Sequence, residues 1–161
     1  MVEGMAGASD NLIAFRSFDA LAATHGLEKI KTIGDAYMVV AGLPEPRPDH
    51  VEAMAEMALD MIDAIRPLAE PLGFDLAIRV GMDSGPVIAG VIGRHKFIYD
   101  LWGDTVNTAS RRESHGLSGR VQVSEATYRR LCDRYEFEDR GEIDLKGKGR
   151  RRAYLLVGRA G

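Results

Sequence analysis

Apolar residues along the chain follow two periods. Between residues 51 and 68, Val51, Met54, Ala58, Met61, Ile65 and Leu68 step by three and four, which lays one apolar stripe down a helix. Asp49, with Glu52 three residues on, matches a capping box, and Pro67 should kink or end that helix. Residues 9–25 carry Phe15, Phe18, Leu21 and Ala22 at the same spacing, with Ser9 or Asp10 as cap and Gly26 as stop. Period two rules residues 74–80, where Phe74, Leu76, Ile78 and Val80 alternate with their neighbours. Residues 27–33 and 36–41 read as strands around a Gly34-Asp35 turn, and 85–92 as a buried strand. Residues 99–114 run from a strand end into a helix, with Asp104 as its expected cap. A short strand follows at 121–123, then a helix capped by Ser124 to about Tyr135. Strands near 136–143 and 152–157 flank the loop KGKGRRR.

The predicted order is α-ββ-α-ββ-α-β-α-ββ. Strands close in sequence should pair and the helices should cover the sheet, an α+β sandwich. The length of 161 residues suits one domain, and a hydrophobic fraction of 45% can build its core. The net charge of −3 and pI of about 5.8 argue against a nucleic-acid binder. No apolar run approaches the roughly 20 residues that span a bilayer, and no basic start followed by an apolar run marks a signal peptide. One cysteine allows neither an internal disulfide nor a cysteine metal cluster. A cytoplasmic domain is expected, with room for a membrane or sensor segment upstream in a longer chain.

Three polar clusters interrupt the apolar segments: Lys31 with Asp35; Tyr99-Asp100 with Asn107 to Arg111; and Lys146 with its neighbours in KGKG. Carboxylates can hold Mg²⁺, and lysine and arginine meet phosphate oxygens, so the inventory suits a nucleoside triphosphate. Neither a Walker A motif nor GxGxxG is present, which removes the P-loop and Rossmann readings. On local sequence alone, Asp35 after a glycine also reads as a turn residue, and Lys31 as a guard on an edge strand. Arg112 and Glu113 read as charges on a helix surface.

KIKTIGDAYMVVAG, YDLWGDTVNTASR and RGEIDLKGKG, in that order and spacing, resemble the catalytic domain of class III nucleotide cyclases, most closely the mycobacterial-type adenylate cyclases. The resemblance covers residues 15 to 158 and implies a ferredoxin-like (palm-like) α+β sandwich, its central sheet mainly antiparallel. It implies that ATP is converted to 3′,5′-cyclic AMP and pyrophosphate by attack of the ribose 3′-hydroxyl on the α-phosphate. In that pattern Asp35 resembles one of two aspartates that bind the metals, two Mg²⁺ or Mn²⁺ per site. Lys31 and Asp100 resemble the pair that reads adenine. Asn107 resembles the residue that orients the ribose, Arg111 the arginine that stabilises the transition state, and Lys146 the lysine on the terminal phosphates. The implied assembly is a homodimer, with each site built from both chains.

The family opens with a strand ending in a motif like F-x-D-I-x-G-F, which carries the other metal aspartate. MVEGMAGASD shows no alternating run, so that leading strand is expected to be missing and the single domain, residues 1–161, to be N-terminally truncated relative to the family. Weak or absent activity is the corresponding expectation. The alternative is a catalytically impaired, cyclase-like module that binds nucleotide or regulates a partner.

Overall fold

The structure is a computed structural model that describes residues 2–4, 8–69, 78–95 and 98–160. The elements are β1 (Val2–Gly4), α1 (Ala8–His25), β2 (Glu28–Ile33), β3 (Ala36–Val40), α2 (His50–Ala69), β4 (Ile78–Met82), β5 (Ile88–Ile92), β6 (Ile98–Trp102), α3 (Asp104–Ser114), β7 (Val121–Ser124), α4 (Glu125–Leu131), β8 (Tyr135–Leu145) and β9 (Gly149–Arg159). Seven strands form one sheet in the order β2-β3-β1-β4-β7-β9-β8, while β5 and β6 make a separate two-stranded ribbon. Only β4 and β7 run parallel; the other pairs are antiparallel. The first four strands with α1 and α2 form a β-α-β-β-α-β unit, the ferredoxin-like arrangement expected.

The expectation of a missing leading strand is corrected. Val2–Gly4 lies in the middle of the sheet, with Val2 opposite both Tyr37 and Val80, and Glu3 opposite Ala36 and Arg79. Three residues are too few to display a period of two. The strand is fixed by partners on both sides, which take up its backbone donors and acceptors.

Alternation sorts the sheet's two faces. Val80 and Met82 on β4, with Val121 and Val123 on β7, join Phe18, Tyr37, Met57 and Met61 in one core beneath α1 and α2. The residues between them, Gly81 and Gln122, face α3: a Cβ on Gly81 would stand 2.2 Å from the Glu113 backbone nitrogen. Gln122 Nε2 donates to the Arg112 carbonyl at 3.0 Å. Helix α3 therefore rests on bare strand backbone.

Smaller differences have local causes. The Asp49 carboxylate is held bidentately by Arg47, at 2.7 and 2.9 Å, in place of the expected capping box. Pro67 sits inside the last turn of α2, which runs on to Ala69. Residues 70–77, with the predicted alternation of Phe74 and Leu76, lie outside the described residues. The strand predicted at 85–92 is not buried: Ile88 is 67% and Val91 62% exposed, because β5 pairs only with β6 and leaves the main sheet. Helix α4 ends at Leu131, and β8 and β9 extend past their predicted limits as one long hairpin.

Candidate active site

The β2–β3 hairpin turns at Gly34 and Asp35, with Gly34 at φ +58°, a conformation that glycine reaches without a Cβ penalty. The pairing register shifts between Lys29 and Lys31, and such a bulge re-aims the side chain beside it. Lys31 Nζ donates to Asp100 Oδ2 at 2.8 Å. Asp100 stands in mid-strand on β6, opposite Gly90 on β5, and is buried at 6% exposure. Its other oxygen accepts the Leu101 N–H at 2.8 Å. The Lys31 hydrogen bond, helped by the Leu101 N–H and by the lysine's charge, holds the Asp100 carboxyl below the usual carboxylate range against the opposing effect of burial. Two residues 69 positions apart in sequence thus form one polar pair.

Helix α3 begins after Gly103, which caps it at φ 125° without a side-chain hydrogen bond. Asp104 is the first helical residue and is ion-paired to Lys148, so its expected role as cap is corrected. A carboxylate in the first turn still complements the helix dipole. Asn107 and Arg111 are four residues apart and share a face; Asn107 is exposed and Arg111 half-buried. Neither side chain makes a hydrogen bond among the described residues, so their donors remain open to a ligand. Arg112 and Glu113, expected on the surface, are each 2% exposed, because their side of the helix is the one seated on the sheet.

Lys146 stands exposed in the turn between β8 and β9, where its backbone N–H donates to His115 Nε2 at 3.4 Å. It is the neighbouring Lys148 that reaches α3. Nothing in KGKG distinguishes the two lysines from sequence; the path of the turn does. Thr105 Oγ1 donates to the Pro86 carbonyl at 2.7 Å, tying the start of α3 to the loop before β5, a contact that no motif announced.

Asp35 is half-buried at the hairpin turn and has no hydrogen-bond partner among the described residues. It follows Lys31 by four residues, in the turn that joins β2 to β3. Among the described residues no three His, Cys, Asp or Glu side chains gather into a metal cluster. Asp35 therefore offers one hard oxygen arm, which fits a magnesium-type ion only when substrate phosphates supply other ligands. In backbone register Glu3 stands opposite Ala36, the residue after Asp35. Around the hairpin and the ribbon, Ile33, Ile88, Val91, Ile92 and Trp102 are exposed at 51, 67, 62, 48 and 39%.

The family described as the adenylate and guanylate cyclase catalytic domain matches residues 11–158. An adenylate cyclase of Mycobacterium tuberculosis (strain ATCC 25618 / H37Rv) is 50% identical over 145 residues, covering 90% of this chain and 33% of the relative. The human guanylate cyclase soluble subunit beta-2 is 45% identical over 145 residues, covering 89% of this chain and 24% of the relative. The chain thus spans a third or less of the length of these relatives. Among solved structures, the guanylate cyclase domain of RhGC from Catenaria anguillulae in complex with GTP superposes with a TM-score of 0.90 at 34% identity, covering 99% of this chain and 94% of that one. A family match over nearly the whole chain, an identity of one half and a common fold agree, and the chain belongs to the class III adenylate and guanylate cyclase catalytic domains.

Proposed function

We propose that residues 1–161 form one catalytic domain of an adenylate cyclase, which converts ATP to 3′,5′-cyclic AMP and pyrophosphate. The Lys31–Asp100 pair carries this reading. Adenine offers a donor at its 6-amino group and an acceptor at N1. Lysine has only donors and an ionised aspartate only acceptors, so the pair complements adenine and opposes guanine. Relatives of both specificities match this chain at similar identity, so overall similarity does not choose the base, and the reading rests on these two side chains.

The remaining residues take roles that their chemistry supports. Asn107 hydrogen-bonds the ribose and orients its 3′-hydroxyl toward the α-phosphate. Arg111, with five donors in a fixed fork, meets charge building on the α-phosphate oxygens as the pyrophosphate leaves. Lys146 holds the terminal phosphates. Asp35 would hold a divalent ion, Mg²⁺ or Mn²⁺, two being expected per site. Such ions, when bound, neutralise the phosphates and acidify the attacking hydroxyl.

In the family pattern Asp35 and the base-reading pair of one chain belong to different sites. This separation supports a homodimer in which one chain supplies Asp35 and its partner supplies Lys31, Asp100, Asn107 and Arg111. The exposed apolar ribbon and Ile33 offer the surface that such a dimer needs. No helix among the described residues is long and apolar enough to cross a membrane; the domain is proposed to act in the cytoplasm, where ATP is abundant.

The test is to measure cyclic AMP and cyclic GMP formation with Mn²⁺ on the chain and on the double variant Lys31→Glu, Asp100→Cys. The wild type should prefer ATP and the variant GTP; a variant that still prefers ATP would remove the pair from base selection. A second reading, a catalytically impaired nucleotide-binding module, draws on one observation: no group of three His, Cys, Asp or Glu side chains that could hold a metal ion forms among the described residues. It predicts ATP binding by titration with no cyclic AMP formed, however much Mn²⁺ is supplied.

A further inference from the structure

One helical row along α3 from Asn107 and Arg111, a cavity of about 480 Å³ opens between the helix and the β8–β9 turn. Asp83, Asp104, Arg112, Ser124, Lys148 and Arg151 line it. Arg112 is 2% exposed, and its Nε and Nη1 are buried without a hydrogen-bond partner among the described residues. A guanidinium removed from water and left unpartnered is costly. The obvious counter-charge, Asp83 at the end of β4, already accepts the Ser124 hydroxyl.

The surrounding charges do not resolve this. Lys148 is committed to Asp104 and Arg152 to Asp139. Glu125 at the rim is taken by Arg129 at 2.8 Å. What remains is Arg112 and Arg151 against Asp83, a surplus of positive charge. Burial pushes the Arg112 pKa down; the attraction of Asp83 opposes it, and a smaller repulsion from Arg151 adds to it. Burial likewise raises Asp83 despite the hydroxyl of Ser124 and the nearby charges of Arg112 and Lys148. Two guanidiniums thus face one carboxylate in a roomy polar cavity, and two buried nitrogens of Arg112 keep no hydrogen-bond partner among the described residues.

We propose that this cavity binds a small oxyanion of the phosphate class, gripped by Arg112 and Arg151, with Lys148 at its rim. Planar guanidinium forks match tetrahedral phosphate oxygens bidentately, and the cavity is large enough for one phosphate or for two joined. The ligand is either free inorganic phosphate or a pyrophosphate. The proposal does not rest on the cyclase reading. Its bearing on that reading is that Arg112 follows Arg111 directly, so an anion held here stiffens the part of α3 that presents the open arginine.

Thermal unfolding of the chain in phosphate, in pyrophosphate and in chloride of matched ionic strength tests it. Phosphate or pyrophosphate should raise Tm by roughly 8 °C at a hundredfold excess over Kd. Arg112→Met, which replaces a buried charge by an apolar chain of similar length, and Arg151→Ala, at an exposed position, should each abolish the rise. Arg111→Ala and Lys146→Ala should keep it, which separates this cavity from the nucleotide site. A larger response to pyrophosphate identifies the diphosphate as ligand, and a larger response to phosphate the free ion; both support the site. A Tm no higher than in chloride, or an equal rise in the Arg112→Met and Arg151→Ala variants, overturns it. So does a result in which Asp83→Asn and Arg112→Met destabilise non-additively with no anion effect, since Arg112 would then be the internal counter-ion of Asp83. Should Arg112→Met fail to fold, Arg151→Ala decides alone.

Discussion

At the scale of single residues, the Lys31–Asp100 pair makes a pH-dependent claim. Asp100 is held below its ordinary pKa by the Lys31 hydrogen bond and the Leu101 N–H, against burial. An acid whose pKa is depressed in the folded state adds stability that is complete above its unfolded value, about 3.9. That stability is lost as pH falls through the lower, folded value. Asp100→Asn should therefore unfold more easily than the wild type near neutrality, by about 1–2 kcal/mol, the worth of a charged hydrogen bond discounted for the exposed side of Lys31. Denaturant midpoints measured from pH 7 downward should show the gap closing below about pH 4; a gap that stays constant would detach the pair from stability. The pair's two members were legible in the sequence because each is a charge set inside an apolar run. Lys148 and Arg112 were not: Lys148 shares the KGKG turn with Lys146 and Arg112 follows Arg111, and only the path of the turn and the phase of the helix decide which of the two turns inward.

At the scale of elements, the position of α3 rests on Gly81. With 2.2 Å between a would-be Cβ and the Glu113 nitrogen, and 2.4 Å to the Ala109 carbonyl, no side chain fits without moving helix backbone. Gly81→Ala should cost about 1–3 kcal/mol, as overpacking does. It should also lower kcat more than it raises KM for ATP, because the helix that it lifts carries Asn107 and Arg111 while Lys31 and Asp100 sit on other strands. Steady-state kinetics beside a denaturation curve would check both parts; unchanged kcat in a folded variant would mean that α3 need not sit so close. The long elements were readable because their periods run for many residues: α1, α2, and the strands β2 and β3 fall where the pattern put them, while of the strand expected at 74–80 only residues 78–80 lie among the described residues, as the start of β4. The three-residue β1 and the exposed ribbon were not. A period needs length, and solvent exposure of an apolar strand depends on which neighbours it lacks.

At the scale of the whole molecule, the architecture sets a question that one chain cannot answer alone. Asp35 sits at the hairpin turn, Lys31 on β2 pairs with Asp100 on β6, and Asn107 and Arg111 share a face of α3. If each site draws Asp35 from one chain and Arg111 from the other, then Asp35→Ala alone and Arg111→Ala alone should both be inactive, as every site in either homodimer lacks one group. Mixing the two variants restores one complete site in each mixed dimer and leaves the other doubly damaged. With random exchange half of the dimers are mixed, so activity should return to about a quarter of the wild-type value. If both groups served the same chain's site, every site would stay broken and the mixture would remain silent. Charging the ribbon, as in Val91→Asp, should weaken the dimer and abolish that recovery, while the lone domain keeps its thermal transition because Val91 is 62% exposed and contributes little to the core. Sedimentation velocity on the same mixtures ties the two readouts together: the recovered rate should follow the fraction of dimer as the chains are diluted.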